Sequence, residues 1–192
     1  MEKSKVKHPI ELLVIGGSAG SFNVLLEVIP EIKVPISFAI IIVLHRKSGS
    51  NSRIDEVFSH KTSLKVFECE DKDLIEPGNI YFAPPDYHLL LEKDGTVSLD
   101  YSEKVNYSRP SIDVTFKNAA DLYGAKMAGL LLSGANSDGA EGLSYIYQKS
   151  GTTIVQHPDS AEINKMPKEA LSLFKPDYVA NVSEIISLIN NF

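Results

Sequence analysis

Apolar positions in this chain come in short dense runs separated by helical stripes. Leu12, Leu13, Val14 and Ile15 form a run short enough to be one buried strand. It breaks at Gly16-Gly17, and a period near 3.6 follows, with Phe22, Leu25, Leu26 and Ile29 predicted on one helix face. Pro30 and Pro35 bracket a connection. Ile36 to Leu44 is then almost continuously apolar, the pattern of a strand covered on both faces in a parallel sheet. A helix over Ser52 to Phe58 and a strand over Leu64 to Cys69 repeat the unit.

From Asn79 the period shortens to two. Ile80 to Phe82, Tyr87 to Leu91 and Thr96 to Leu99 read as short strands of one antiparallel piece, with Asp94-Gly95 as a hairpin turn. Pro110 then suits the start of a helix striped by Ile112, Phe116, Ala119 and Tyr123 and ended by Gly124. A strand over Met127 to Leu132, a helix from Ala140 to Lys149, a strand over Thr152 to Val155 and a helix from Pro167 to Phe174 follow. Asn181 and Glu184 have the spacing of a capping box before a last helix through Ile189. Alternation of this kind predicts an α/β fold: a doubly wound, mostly parallel sheet with helices on both faces and an antiparallel β-hairpin insertion. Residues 1–9 read as a flexible charged tail, and 10–192 as a single domain.

Composition narrows the function. Of 192 residues, 43% are hydrophobic and 23% charged, an ordinary globular balance. A net charge of −6 leaves no basic stripe to neutralise phosphates, so nucleic acid is excluded as a partner. The longest apolar run, Phe38 to Leu44, is far short of a membrane span, so no direct membrane insertion is expected. The lone Cys69 cannot form an internal disulfide and fits a reducing cytoplasm. The acidic cluster Glu68, Glu70, Asp71 and Asp73 lacks the spacing and glycine of a calcium loop, so a solvated turn is expected, with no metal and no cofactor.

The chemistry gathers at strand ends. Gly16-x-Ser18-x-Gly20 has the spacing of a nucleophile elbow, a serine at the apex of a tight strand-to-helix turn. The following helix start offers backbone N–H groups to a developing oxyanion. A dinucleotide fingerprint would need G-x-G-x-x-G, which is absent here. His45, Asp138 and His157 also follow strands directly, which puts them on one rim of the sheet. Two triads can be drawn: Ser18, Asp138 and His157 in α/β-hydrolase chain order, or Ser18, His45 and Asp138 in another order that geometry equally allows. His45 is favoured, because its strand should neighbour the first. Arg109 and Ser111 precede a helix near the same rim; Arg109 could clamp a carboxylate or carbonyl or make a surface ion pair. His8, His60 and His88 carry no such pattern.

The segments LLVIGGSAGS, VLHR, YFAPPDYHLLL, RPSIDVTF, LLLSGANSDGAEGL and KMPKEA, in this order, resemble the catalytic domain of the protein-glutamate methylesterases of chemotaxis, the CheB family. The resemblance runs from about Glu11 to the C-terminus. It implies Ser18 as nucleophile, His45 as its base and Asp138 as the carboxylate orienting His45, with no catalytic role for His157. It implies a methylated receptor or other protein as substrate and cytoplasmic signalling. Backbone N–H groups near Ala19 and Ala135 are the candidate oxyanion site, with Arg109 and Ser111 as candidate substrate contacts. Ala19 and Ala135 depart from the Thr and Met often found there. A preceding receiver domain, usual in family members that work in chemotaxis, is not expected, so control by phosphorylation in cis would be absent. Two alternatives stay open: a docking module without turnover, or an esterase or glutamine deamidase acting on another protein.

Overall fold

The computed structural model describes residues 8–46 and 53–192. In chain order its strands are β1 (Leu12–Gly17), β2 (Ala39–Leu44), β3 (Lys65–Glu68), β4 (Asn79–Phe82), β5 (His88–Leu91), β6 (Val97–Asp100), β7 (Met127–Leu131), β8 (Thr152–Gln156) and β9 (Tyr178–Ala180). The helices are α1 (Ser21–Val28), α2 (Ile54–Ser59), α3 (Ile112–Tyr123), α4 (Ala140–Gln148), α5 (Lys165–Leu173) and α6 (Val182–Ile189). Seven strands form one parallel sheet in the order β3-β4-β2-β1-β7-β8-β9, and β5 and β6 pair antiparallel beside it. The fold class read from the chain is the one observed.

Alternation along the strands divides the core in two. Leu13, Ile15, Ile40, Ile42, Leu130 and Ile154 face one layer, where α1, α2 and α6 bring Leu25, Val28, Phe58 and Ile185. Leu12, Val14, Ile41, Val43, Leu131 and Val155 face the other, packed by Ile112 and Phe116 of α3, Leu143 of α4 and Met166 of α5. Complete burial of each of these larger side chains contributes roughly 1.5–3 kcal/mol. With both faces of β1 and β2 covered, near-continuous apolar runs are what these strands need.

Three local expectations change. Phe22 is exposed, and α1 buries Ser21, Val24, Leu25 and Val28 instead. The close approach of Gly17 to Ser21 sets that rotation: a Cβ on Gly17 would lie 2.5 Å from Ser21 Oγ. β4 does not join the antiparallel piece but pairs parallel between β2 and β3. Its alternating Asn79 and Tyr81 look like a wet face, yet both are buried because Tyr81 Oη donates to Leu74 O and accepts from Glu76 N–H and Asn79 Nδ2. β9 went unread: three residues are too few to show a period. The α2 start expected at Ser52 lies outside the described residues. Among the described residues no helix is long and apolar enough to cross a membrane.

The acidic turn after β3 is used to fasten the hairpin. Asp71 accepts from Leu99 N–H at 3.0 Å and Asp73 from Glu70 N–H at 2.7 Å, while Glu68 pairs with Arg46. Cys69 is buried there, and that burial, with Asp73 and Glu68 nearby, pushes its thiol up to about 12, which leaves it inert.

Candidate active site

β1 is the first strand and sits in the middle of the sheet, with β2 on one side and β7 on the other. The chain therefore reverses its direction of growth at β1, and the carboxyl ends of β1, β2 and β7 frame the crevice where such sheets hold ligands. Ser18 follows β1 in the turn before α1. Gly20 adopts a left-handed φ of 82° as the residue before α1, which lets the chain turn sharply there. Gly16 must also be glycine, since a Cβ would meet Ile112 Cγ2 at 2.3 Å.

The Ser18 turn is tied to the loop after β7. Ser18 N–H donates to Ser133 O at 2.9 Å, and Ser133 Oγ lies 2.8 Å from Ala19 O. Ser133 in turn is fully buried and anchored by Gln156 Oε1, which accepts its N–H at 2.9 Å. Gly134 brings the two loops close, because a Cβ there would be 3.1 Å from Ser18 Cβ and 2.4 Å from Met166 Cε. Among the described residues, neither Ala19 N–H nor Ala135 N–H donates to a protein acceptor, and both residues are exposed.

His45 follows β2. Register pairs Gly17 with Leu44, and His45 N–H donates to Gly17 O at 3.2 Å, so the imidazole starts from a backbone position beside Ser18. Its Nε2 is 2.8 Å from Asp138 Oδ2. Asp138 sits in the loop between β7 and α4, 0% exposed. Its Oδ1 accepts from Ser111 Oγ at 2.8 Å, Asn106 Nδ2 at 3.1 Å and Asp113 N–H at 3.2 Å, and its Oδ2 also accepts from Ile112 N–H at 2.7 Å. Burial alone would raise this carboxyl, but the bonds from His45, Asn106, Ile112 and Ser111 outweigh it and hold Asp138 below the ordinary carboxylate value. An ionised carboxylate only accepts, so the proton of a neutral His45 belongs on Nε2 and its free lone pair on Nδ1. Nδ1 lies 3.5 Å from Ser108 Oγ, and Ser18 Oγ makes no hydrogen bond to another described residue in this conformation.

The other sequence candidates divide. His157 is half-exposed at the end of β8, and its Nδ1 accepts from Asp159 N–H at 3.2 Å, a local cap away from Asp138. His88 is buried and fully engaged, with Nε2 on Glu103 O at 2.9 Å and Nδ1 accepting from Ser111 N–H at 3.1 Å. Ser111 departs from the expected role of substrate contact. It is 0% exposed, caps α3 by accepting from Val114 N–H, and spends its proton on Asp138. Arg109 departs in part: its Nη1 donates to Tyr101 O at 3.2 Å and Ser102 O at 2.6 Å, and its guanidinium lies 3.9 Å from the Tyr101 ring centroid. It holds the 101–109 segment together while lining a cavity beside His45.

Two residues of this site escaped the sequence reading. Asn106 sits at the tip of the 101–109 segment with φ of 51°, and its Nδ2 bridges Asp138 Oδ1 and Asp113 Oδ2. Asp113, 3% exposed in the first turn of α3, accepts Gly142 N–H at 2.6 Å and Asn106 at 2.8 Å. Burial above all, then the charge of Asp138, pushes its carboxyl up to about 6 against the opposing Gly142 bond. An Asn in a left-handed turn was the one available signal for Asn106; nothing in a striped helix start marks Asp113.

A doubly wound sheet whose carboxyl rim carries a turn serine beside an imidazole–carboxylate pair defines a class, the α/β domains of hydrolytic enzymes. Comparison with known proteins narrows it. The family model for CheB methylesterase matches residues 13–189, and the chain belongs to that family. A relative from Leptospira interrogans, a putative protein-glutamate methylesterase/protein-glutamine glutaminase, is 42% identical over 178 residues, covering 93% of this chain and 92% of the relative. The protein-glutamate methylesterase/protein-glutamine glutaminase of Methanosarcina barkeri is 31% identical, and the match covers 93% of this chain and 52% of that protein. The crystal structure of the Thermotoga maritima CheB methylesterase catalytic domain superposes with a TM-score of 0.90 at 30% identity, covering 96% of this chain and 99% of that one.

Proposed function

We propose that this protein hydrolyses the methyl esters of glutamate side chains on a protein substrate of the chemoreceptor type, through an acyl-enzyme on Ser18. The observation that carries the reading is the 2.8 Å bond between His45 and a buried, ionised Asp138 on the rim where Ser18 turns. Asp138 keeps the His45 proton on Nε2 and stabilises the imidazolium. His45 Nδ1 then takes the Ser18 proton, a contact made by side-chain rotation when substrate displaces Ser108. Ser18 Oγ attacks the ester carbonyl, and the unengaged N–H groups of Ala19 and Ala135 receive the oxyanion. The imidazolium returns the proton to departing methanol, and a water activated by His45 frees the glutamate and regenerates Ser18.

The same steps applied to a primary amide release ammonia, in keeping with the glutaminase half of the names its relatives carry. Cytoplasmic action is supported by the single, buried thiol. The test is labelling with a fluorophosphonate probe and methanol release from a peptide bearing γ-methyl glutamate. Wild type should label and turn over, and Ser18→Ala should do neither. Properly folded wild type that neither labels nor turns over would instead make the chain a docking module.

A further inference from the structure

A cavity of about 520 Å³ opens beside His45, lined by Arg46, Asp86, Lys104, Tyr107 and Arg109 among others. On a chain of net charge −6, it gathers three cationic side chains against one carboxylate. Each guanidinium is engaged through one terminal nitrogen. Arg46 Nη2 is engaged by Glu68 and by Ala83 O, at 3.1 Å from the latter, and Arg109 Nη1 by the carbonyls of Tyr101 and Ser102. Among the described residues, the only buried side-chain polar atoms without a partner are Arg46 Nε and Arg109 Nε. An orphaned buried donor is costly, and the two arginines that carry these donors both line this cavity, so they call for an acceptor that the described residues do not provide.

We infer that this cavity is a carboxylate subsite, in which Arg46 and Arg109, assisted by Lys104, receive an acidic side chain of the substrate protein lying near the residue to be hydrolysed. A carboxylate is planar and offers two acceptors at the spacing of a guanidinium fork, and modest turns of the two arginine planes bring their Nε–H edges to it. The ester under attack is neutral and cannot fill that role. The acid has to arrive on the same polypeptide, because the cavity shares His45 with the reacting centre. The subsite therefore selects esters by their neighbours. Asp86, which lines the same cavity, narrows the choice further, since it disfavours two acids where one fits.

This inference rests on the proposed function, and its test is arranged to fail separately. Ser18→Ala protein is titrated, by fluorescence anisotropy, with peptides that each carry one γ-methyl glutamate and one Glu within four residues on either side. A matched set carries Gln in place of that Glu. The best acidic peptide should bind about tenfold or more tightly than its Gln partner at low salt, and the ratio should shrink in about 0.5 M salt. In the Arg46→Gln/Arg109→Gln double variant the ratio should fall to near one. Lys104→Gln, at an exposed position, should cut it two- to threefold. Ratios near one for every pair, or a ratio that survives loss of both arginines, would overturn the subsite. Charge-selective binding with no Ser18-dependent methanol release would overturn the esterase reading alone.

Discussion

Two buried carboxylates flank Asn106, and the protein treats them in opposite ways. Asp138 accepts five hydrogen bonds from described residues, one of them from an imidazole, and stays ionised below the ordinary range. Asp113 accepts two, faces the charge of Asp138, and is pushed up to about 6. Burial is near complete at both and pushes both upward, so burial does not explain the difference between them. The number of donors aimed at each group does. The first turn of α3 makes the division: its free N–H groups at Ile112 and Asp113 both point at Asp138, and so does the cap hydroxyl of Ser111. One helix start thus supplies charge stabilisation to the group that holds His45 and withholds it from its own Asp113.

The largest way to break this comparison is to neutralise each carboxylate in turn. Asp138→Asn should cost roughly a thousandfold or more in kcat for methanol release, because an amide can donate to Nε2 and fix the wrong His45 tautomer. Asp113→Asn should cost no more than about tenfold. Equal losses would mean that the two groups act as one unit.

Stability against pH separates them next. Asp113 has a folded value of about 6 against an ordinary 3.8, so the folded state binds the proton more tightly. Its contribution to stability is full below about pH 4 and is lost as pH rises through 6, by up to about 3 kcal/mol. Asp138 has the opposite sign: its contribution is present above the ordinary carboxylate value and is lost as pH falls below it. Urea denaturation between pH 4 and 8 should therefore show a falling limb in wild type that Asp113→Asn removes. Absence of any difference between the two curves would contradict the assignment.

Ser111→Ala sharpens the comparison at smaller scale. It deletes the α3 cap and one of the five donors to Asp138, and should lower stability by about 1 kcal/mol and kcat several-fold. The smallest effect is expected at His157, which touches neither carboxylate. His157→Ala should leave methanol release within twofold and stability within about 0.5 kcal/mol. A large loss there would favour the alternative triad.

Much of this site was legible in the chain because its parts are local. A serine between Gly16 and Gly20, and a histidine directly after an all-apolar run, follow from strand and turn chemistry alone. The pairing of His45 with Asp138 rather than His157 needed the strand order, which puts β2 next to β1 and leaves β8 beyond β7. Arg109 and Ser111 were found as residues near the rim, but their direction was not readable. A hydroxyl before a helix can face solvent or a buried acid with the same local pattern, and only the arrival of Asp138 from 27 residues away decides it.

By itself the sequence determined the α/β alternation, the two-sided burial of β1 and β2, the sharp glycine turn at Ser18 and the capping box at Asn181, all of which depend on neighbours within a few positions. Tertiary structure alone decided that β4 lies inside the parallel sheet, that Phe22 turns outward, and that Asn106 and Asp113 meet Asp138. Those outcomes are set by which loops the folded sheet brings together, and hydrogen bonds between distant loops leave no periodicity along the chain.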